Sequence, residues 1–198
     1  MNAAGRIGPN AIIRVAEALP GYVGADVTHG LFESVGLAAY LLAPPQQMVD
    51  ETEVARLHAA LRRALGGGLA GQVARDAGRR TADYLLAHRI PTPVQALLKL
   101  LPAPLAARVL LSAIRRHAWT FAGSGEFTAR AGRPVALQIR GNPMCRDLRS
   151  DTPACDFYAA TFERLFQVLV HRDSRVQEVA CEACGDLECR FEIRWSPA

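Results

Sequence analysis

The chain has 198 residues, of which 50% are hydrophobic and 21% charged, and its formal net charge at pH 7 is +4. This composition excludes a disordered chain, and the length suits one domain over residues 1–198. The basic residues are nearly all arginines, scattered through helical stretches and interleaved with acids. Because such a pattern is typical of solvated helix faces, we expect no nucleic-acid partner.

The chain carries no recognisable targeting or membrane-spanning segment. Its first ten residues, MNAAGRIGPN, lack the basic segment and apolar run of a signal peptide. The most apolar stretch, 94–114, is interrupted by Lys99, Pro102 and Arg108, so we expect no transmembrane helix. These observations predict a cytoplasmic protein, in which thiols stay reduced and disulfides are rare.

Hydrophobic spacing predicts helices through the first 118 residues. Glycines 66–68 separate two strongly amphipathic helices, and prolines open the two that follow. The predicted helices span 10–19, 24–42, 50–65, 69–88, 93–101 and 104–118.

The pattern changes after Trp119, where alternating apolar residues predict strands at 120–131 and 134–140. Helical spacing returns at 156–170. A final strand pair is predicted at 175–180 and 188–195. The sequence therefore predicts an α+β fold in which N-terminal helices pack on a small antiparallel sheet. The N-terminal helical region is 1–50, and the sheet with its cysteines is 119–196.

The segment Gly66–Gly71 matches the dinucleotide fingerprint G-x-G-x-x-G in its letters. That fingerprint requires a preceding strand, so that the phosphates meet a helix N-terminus at a sheet edge. Here the preceding residues, LHAALRRAL, form an amphipathic helix. We therefore interpret the glycines as a break between two helices, which removes the one hint of a nicotinamide or flavin cofactor.

Basic and aromatic residues cluster where the last predicted helix of the front half meets the sheet. Arg115, Arg116, His117 and Trp119 could bind a flat, acidic, aromatic ligand. The alternative is an ordinary helix C-terminus, where basic residues are favoured by the helix dipole. No catalytic triad, paired carboxylates or nucleophile elbow is recognisable, so no catalytic residue is assigned and the sequence leans against an enzyme.

Three of the five cysteines lie in the terminal stretch VACEACGDLECRFEI. Cys181-x-x-Cys184 and Cys189 surround a predicted turn, and Cys155 begins the helix at 156–170. Clustered thiols in a cytoplasmic protein favour zinc, which takes four such ligands in a tetrahedron; the alternative is a group of buried thiols packed as small hydrophobes. A site with four protein ligands would be structural, because it leaves no open position for a substrate.

The segments CDFYAA at 155–160, EVAC at 178–181, Gly185-Asp186 and CRF at 189–191 resemble the 4-vinyl reductase domain family. The family takes its name from a protein of bacteriochlorophyll biosynthesis and includes the aromatic-sensing domains of some bacterial transcription activators. Its α+β fold is shared with subunits of the vesicle-tethering complex TRAPP. The chain has no room for an ATPase or DNA-binding domain, so it is most similar to stand-alone members.

The resemblance also implies a zinc ion held by three cysteines and a glutamate, as in the sensor members. Matching the motifs places these ligands on Cys155, Glu178, Cys181 and Cys189. Cys184 is the rival fourth ligand, since thiolate suits zinc better than carboxylate does. Glu178 and Cys181 are three residues apart, so a strand would need a bulge to turn both to one face.

Three functions follow from the resemblance. The first is a non-catalytic carrier that holds a tetrapyrrole, such as a magnesium porphyrin or a protochlorophyllide-type intermediate, for the enzymes of bacteriochlorophyll synthesis. The alternative is the reductase of the family's name, acting on the 8-vinyl group, and a third is a scaffold for pathway enzymes. Either of the first two would work in the cytoplasm or at the periphery of the photosynthetic membrane.

The pigment is expected between the helices before residue 118 and the sheet, with apolar walls and an arginine for its acidic edge. The resemblance further implies a homodimer built through the N-terminal helices, whose apolar residues exceed what one small sheet needs. The candidate walls are Leu97, Leu98, Leu101, Leu110, Ile114 and Trp119, and the candidate dimer residues are Ile12, Ile13, Leu31, Phe32, Leu37, Tyr40 and Leu41.

Overall fold

The computed structural model describes residues 5–196 of the chain. The first four residues, which are part of the segment predicted to lack a signal peptide, lie outside the described ones, as do the last two. Helices occupy most of the chain up to residue 122, and a four-stranded antiparallel sheet with one further helix follows. The predicted α+β class is therefore confirmed.

The helices begin and end close to the predicted positions, with local stop and start residues that explain them. The longest begins after Asp50, whose carboxylate accepts a hydrogen bond from the Thr52 N–H at 2.8 Å and so caps the helix. The helices are α1 (Asn10–Ala18), α2 (Pro20–Val23), α3 (Ala25–Ser34), α4 (Ala39–Leu42), α5 (Glu51–His88), α6 (Thr92–Leu100), α7 (Ala103–Arg116), α8 (Trp119–Ala122) and α9 (Asp156–Leu169).

Gly66 interrupts α5 as the sequence predicted. Its φ of 73° lies in the left-handed region that favours glycine, and helical geometry resumes at the next residue. The glycine segment therefore breaks a helix and does not follow a strand, which confirms its interpretation as a helix–helix break.

The main sheet is formed by β3 (Glu126–Arg130), β4 (Val135–Arg140), β5 (Arg175–Ala180) and β6 (Cys189–Arg194), in the order β3-β4-β6-β5. All neighbouring strands are antiparallel, and the register places Ile139 opposite Cys189. A separate short ladder joins β1 (Arg6–Ile7) to β2 (Val49–Asp50) and fixes the N-terminal segment beside the start of α5.

The sheet, α9 and α5 form successive layers of one hydrophobic core. The inner face of the sheet is apolar and packs on α9, where the rings of Phe162 and Phe191 lie 5.6 Å apart. Helix α9 in turn contacts α5, and α1 covers the other side of α5. Gly78 permits the close approach of α5 to α9, since an added Cβ would lie 2.3 Å from the Phe157 carbonyl oxygen.

Two predicted elements were wrong. The helix predicted at 24–42 is two helices, α3 and α4, because Gly36, with a φ of 74°, ends the first. The strand predicted at 120–131 begins only at Glu126. The residues before it continue from α7 as the short helix α8, in which the Thr120 hydroxyl donates to the His117 carbonyl at 2.7 Å.

The N-terminal helices are also used differently from the expectation. Ile12, Leu31, Phe32 and Leu37 are buried within the chain, chiefly because α1 and α3 cover α5. The apolar surplus that suggested a homodimer is therefore largely consumed by the chain's own core, and the homodimer stays a prediction. No helix in residues 5–196 is long and apolar enough to cross a membrane.

Candidate metal centre and ligand-binding residues

Four buried cysteines from four separate elements meet at one end of the sheet. Cys145 ends a short 3-10 turn, Pro143–Cys145, that follows β4, and Cys155 caps the start of α9. Cys181 directly follows β5, and Cys189 opens β6. Their sulfur atoms all lie within 4.8 Å of one another. We call these four residues the thiol cluster.

The spacing of the sulfur atoms fits a tetrahedral metal ion. The Sγ atom of Cys145 lies 3.3, 3.5 and 3.8 Å from those of Cys155, Cys189 and Cys181. The Sγ atom of Cys155 lies 3.5 Å from that of Cys189 and 4.0 Å from that of Cys181. Four thiolates bound to zinc at about 2.3 Å are about 3.8 Å apart, so these residues fit the group.

Asn142 positions the turn that carries Cys145. Its side-chain oxygen accepts the Met144 N–H at 3.0 Å, which turns its Nδ2 toward the cluster, 3.2 Å from the sulfur of Cys155 and 3.3 Å from that of Cys189. The Glu182 carboxylate accepts the backbone N–H groups of Gly141 and Asn142 at 2.6 and 2.8 Å. The turn after β4 is thereby fastened to the connection between β5 and β6.

Backbone N–H groups are also directed at the sulfur atoms. The Ala154 N–H donates to the sulfur of Cys181 and the Glu182 N–H to that of Cys189, each at 3.4 Å. Donors around a sulfur stabilise its thiolate form and orient it, as the outer shell of a metal site does. The surroundings of the cluster are therefore those of a site for a cation.

The four thiols share protons. Hydrogen bonds from Cys145, Cys155 and Cys189 lower the pKa of Cys181. Hydrogen bonding with Cys145, together with the other thiols and burial, raises the pKa of Cys155. A divalent cation bound here would displace protons, because only the thiolate is a ligand.

Glu178 lies beside the thiol cluster, on the same face of β5 as the predicted bulge requires. The ladder between β5 and β6 shifts register between Glu178 and Ala180, which is the bulge. One carboxylate oxygen accepts the Cys155 N–H at 2.8 Å, and the other is buried without a partner among the described residues. Burial, and next the charge of Cys181, raise the pKa of Glu178 to about 9.

The structure therefore brings together three of the predicted ligands and adds one. Cys155, Cys181 and Cys189 join the cluster, whereas the carboxylate of Glu178 is not among its mutually close ligand atoms. Cys184 is exposed in the turn between β5 and β6. Cys145 was missed because no x-x spacing connects it to the other cysteines; the pairing of β4 with β6 brings it close.

The predicted ligand-binding residues lie together at the end of α7 and the start of α8. Arg115 donates to the Ala129 carbonyl of β3 at 3.3 Å, so it bridges the helix and the sheet. The His117 ring lies back on its own helix, with Nδ1 2.9 Å from the Ala113 carbonyl. Arg116 and Trp119 are exposed, and 61% of Trp119 is accessible.

The predicted pocket walls do not line one cavity. Leu98, Leu110 and Ile114 are buried in the core, Leu101 packs partly against it, and Leu97 is exposed. A cleft of about 220 Å³ does occur between α7 and the turn from β3 to β4. Its lining combines small and apolar residues with two arginines and a tryptophan: Pro104, Ala107, Arg108, Ala131, Gly132, Arg133, Val135 and Trp195.

Residues 135–195, which include all four cysteines of the cluster, match the model of the 4-vinyl reductase domain. The chain is 44% identical over 188 residues to the bacteriochlorophyll synthase 23 kDa chain of Cereibacter sphaeroides, covering 95% of this chain and 90% of that protein. It is 37% identical over 189 residues to the protein of the same name from Rhodobacter capsulatus, covering 95% and 86%.

Solved structures of H-NOX proteins share the fold. An H-NOX structure from K. algicida, in the Fe(II) unliganded state, has a TM-score of 0.61 at 11% identity and covers 95% of this chain and 96% of that one. An H-NOX structure from a study of heme distortion has a TM-score of 0.60 at 15% identity, with 96% of each chain covered. At these identities the likeness concerns the fold alone.

Proposed function

The chain belongs to the family of the bacteriochlorophyll synthase 23 kDa chains and contains a 4-vinyl reductase domain, and from that premise we propose that it is a non-catalytic tetrapyrrole carrier. The observation that carries this proposal is the 44% identity over 95% of the chain to a relative named for bacteriochlorophyll synthesis. The ligand would be a magnesium porphyrin or protochlorophyllide-type intermediate, passed to a pathway enzyme.

A carrier is favoured over the 8-vinyl reductase by the placement of the glycines at 66–71. Hydride transfer to a vinyl group needs a donor that the protein binds and orients. The one segment with the letters of a dinucleotide fingerprint lies inside α5, away from any strand end. The fold itself is compatible with a tetrapyrrole, because H-NOX proteins of the same fold are described with heme.

The pigment would lie along the junction between α7 and β3. Arg115, Arg116, His117 and Trp119 form one end of this junction, and the cleft with Arg108 and Arg133 forms the other. Arg108 and Arg115 are two turns apart on α7, or about 10 Å along its axis. An arginine at either end could pair with a propionate while the ring covers apolar residues.

The thiol cluster would hold one structural zinc ion through Cys145, Cys155, Cys181 and Cys189. Zinc would supply four strong bonds that fix the ends of β5 and β6 to α9 and to the turn after β4. With four protein ligands no position remains for pigment or water, so the site would maintain the fold and leave pigment binding to the α7–β3 junction.

Pigment titration separates the carrier from the reductase. Purified protein is mixed with magnesium protoporphyrin or divinyl protochlorophyllide, with and without reduced nicotinamide, while pigment absorbance and tryptophan emission are recorded. A carrier binds the pigment, quenches Trp119 and leaves the vinyl group intact. Reduction of the 8-vinyl group would establish the reductase instead, and absence of binding to every pigment tested would contradict both and leave the scaffold.

Charge reversal locates the site. Arg116→Glu should weaken acidic pigments about tenfold and their methyl esters much less, because the arginine pairs with the carboxylate. Arg172→Glu is the matched control, since Arg172 is 91% exposed in the connection between α9 and β5. Equal losses in both variants, or none in either, would show that the pigment binds elsewhere.

A further inference from the structure

A long stretch of the chain contains no acidic residue. Between Asp83 and Glu126 there is neither aspartate nor glutamate, while this stretch carries five arginines and lysines. In the described part of the chain none of the five forms an ion pair, and all are exposed. The stretch is therefore a concentrated, unneutralised positive region, formed by Arg89, Lys99, Arg108, Arg115 and Arg116.

The same stretch exposes large apolar side chains. Eleven large hydrophobic residues are exposed among the described residues, and six of them fall between residues 94 and 119. Leu100 is 83% accessible, although a leucine fully exposed to water forfeits about 2 kcal/mol relative to burial. The six are Val94, Leu97, Leu100, Leu105, Val109 and Trp119, and with the five cations they form what we call the docking face.

The docking face belongs to two short helices that have an inside and an outside. Helices α6 and α7 are joined by Leu101 and Pro102, contact each other, and both pack on α9. Leu98 and Leu110 point into the core, and the docking face is the side turned away from it. With 9 and 14 residues, the helices are too short to span a bilayer but can lie on one.

From these observations we propose that the docking face binds the surface of an anionic lipid bilayer. The apolar side chains would enter the boundary between headgroups and acyl chains, and the arginines and Lys99 would meet the lipid phosphates. Trp119 suits this boundary, where tryptophan is enriched, and the aliphatic stem of Lys99 lets its charge reach the headgroups.

Charge selects lipid over a second copy of the chain. A two-fold symmetric dimer through the docking face would bring the same patch of each chain together, and five cations would then face five cations. An anionic bilayer supplies the opposite charge over the whole face. This inference stands apart from pigment binding, because vesicles without pigment suffice to test it.

Vesicle flotation tests the proposal. The full chain, metal-loaded, is floated with vesicles of pure phosphatidylcholine or of phosphatidylcholine with about one third phosphatidylglycerol. We expect binding to the anionic vesicles only, weakened several-fold as salt rises from 50 to about 300 mM. No binding to anionic vesicles at low salt would overturn the proposal, including the case in which a partner protein occupies the face.

Matched variants show which face binds. Leu100→Ser with Leu105→Ser should weaken vesicle binding about tenfold, and Lys99→Glu at least about fivefold. Leu42→Ser and Leu187→Ser are the controls, because these leucines are 92% and 87% exposed outside the docking face. Equal losses in the controls would contradict the proposal, as would a shift from dimer to monomer in Leu100→Ser with vesicle binding unchanged.

Discussion

The thiol cluster and the docking face direct their unusual residues in opposite directions. At the cluster, four cysteines turn inward, are buried, and receive hydrogen bonds from Asn142 and two backbone N–H groups. On α6 and α7, leucines and unpaired cations turn outward. A closed set of ligands serves the fold, whereas an open surface serves contacts with other molecules.

This difference separates stability from function along the chain. Changes at the thiol cluster should damage the fold and, through it, every activity. Changes on the docking face should leave the fold intact and alter only what the protein binds. The predictions below test this separation, from the largest expected effect to the smallest.

The largest effect is expected at Cys145. Cys145→Ser should lose the metal and destabilise the protein by at least about 5 kcal/mol, because binding energy at a structural zinc site is folding energy. Cys184→Ser is the matched control, an exposed cysteine in the neighbouring turn, and should retain both metal and stability. Metal content and urea denaturation measure the two. A stable, metal-loaded Cys145→Ser protein would remove Cys145 from the ligand set.

A smaller effect is expected from His58 in the helical half. Burial, more than the hydrogen bond to the Ala11 carbonyl can offset, lowers its pKa from 6.5 to about 4. The unfolded chain therefore binds the proton first as pH falls from 6.5, and stability declines until about pH 4. A shift of this size corresponds to about 3 kcal/mol.

The His58→Leu variant isolates this contribution from the acid sensitivity of the cysteines. Relative to the wild type, the variant should gain about 3 kcal/mol in unfolding free energy between pH 7 and pH 4. Urea denaturation at several pH values gives the difference directly. Parallel curves for the two proteins over this range would show that His58 is not held neutral in the core.

The smallest effect on stability is expected at the docking face. Leu100→Ser should change the free energy of unfolding by less than about 0.5 kcal/mol, because an exposed side chain makes few contacts to lose. Thermal denaturation measures this. A loss of about 2 kcal/mol or more would mean that the residue is buried in solution, and the separation between the two regions would fail.

The sequence predicted the elements whose patterns are local. The strands at 134–140 and 175–180 and the helix at 156–170 agree with the structure to within a residue, because alternation and helical spacing are set by near neighbours. Residues 120–122 did not follow this rule. Thr120 and Phe121 suit a strand by composition, but hydrogen bonds back to α7 make them helical.

The site was predictable where ligands are close in sequence and hidden where they are not. Cys181 and Cys189 flank one turn, so spacing alone placed them together. Cys145 reaches them only through the pairing of β4 with β6, a long-range contact that spacing does not encode. The exposure of Leu100 was equally hidden, since an apolar residue in a helix is ordinarily assigned to the core.

X-ray absorption at the zinc edge of the purified protein tests the central claim most directly. The thiol cluster predicts one zinc per chain with four sulfur neighbours at about 2.3 Å and no oxygen neighbour. Glu178→Gln should leave this spectrum unchanged. Three sulfurs with one oxygen at about 2.0 Å, lost in Glu178→Gln, would show that Glu178 and not Cys145 completes the site, and absence of zinc would contradict the metal centre altogether.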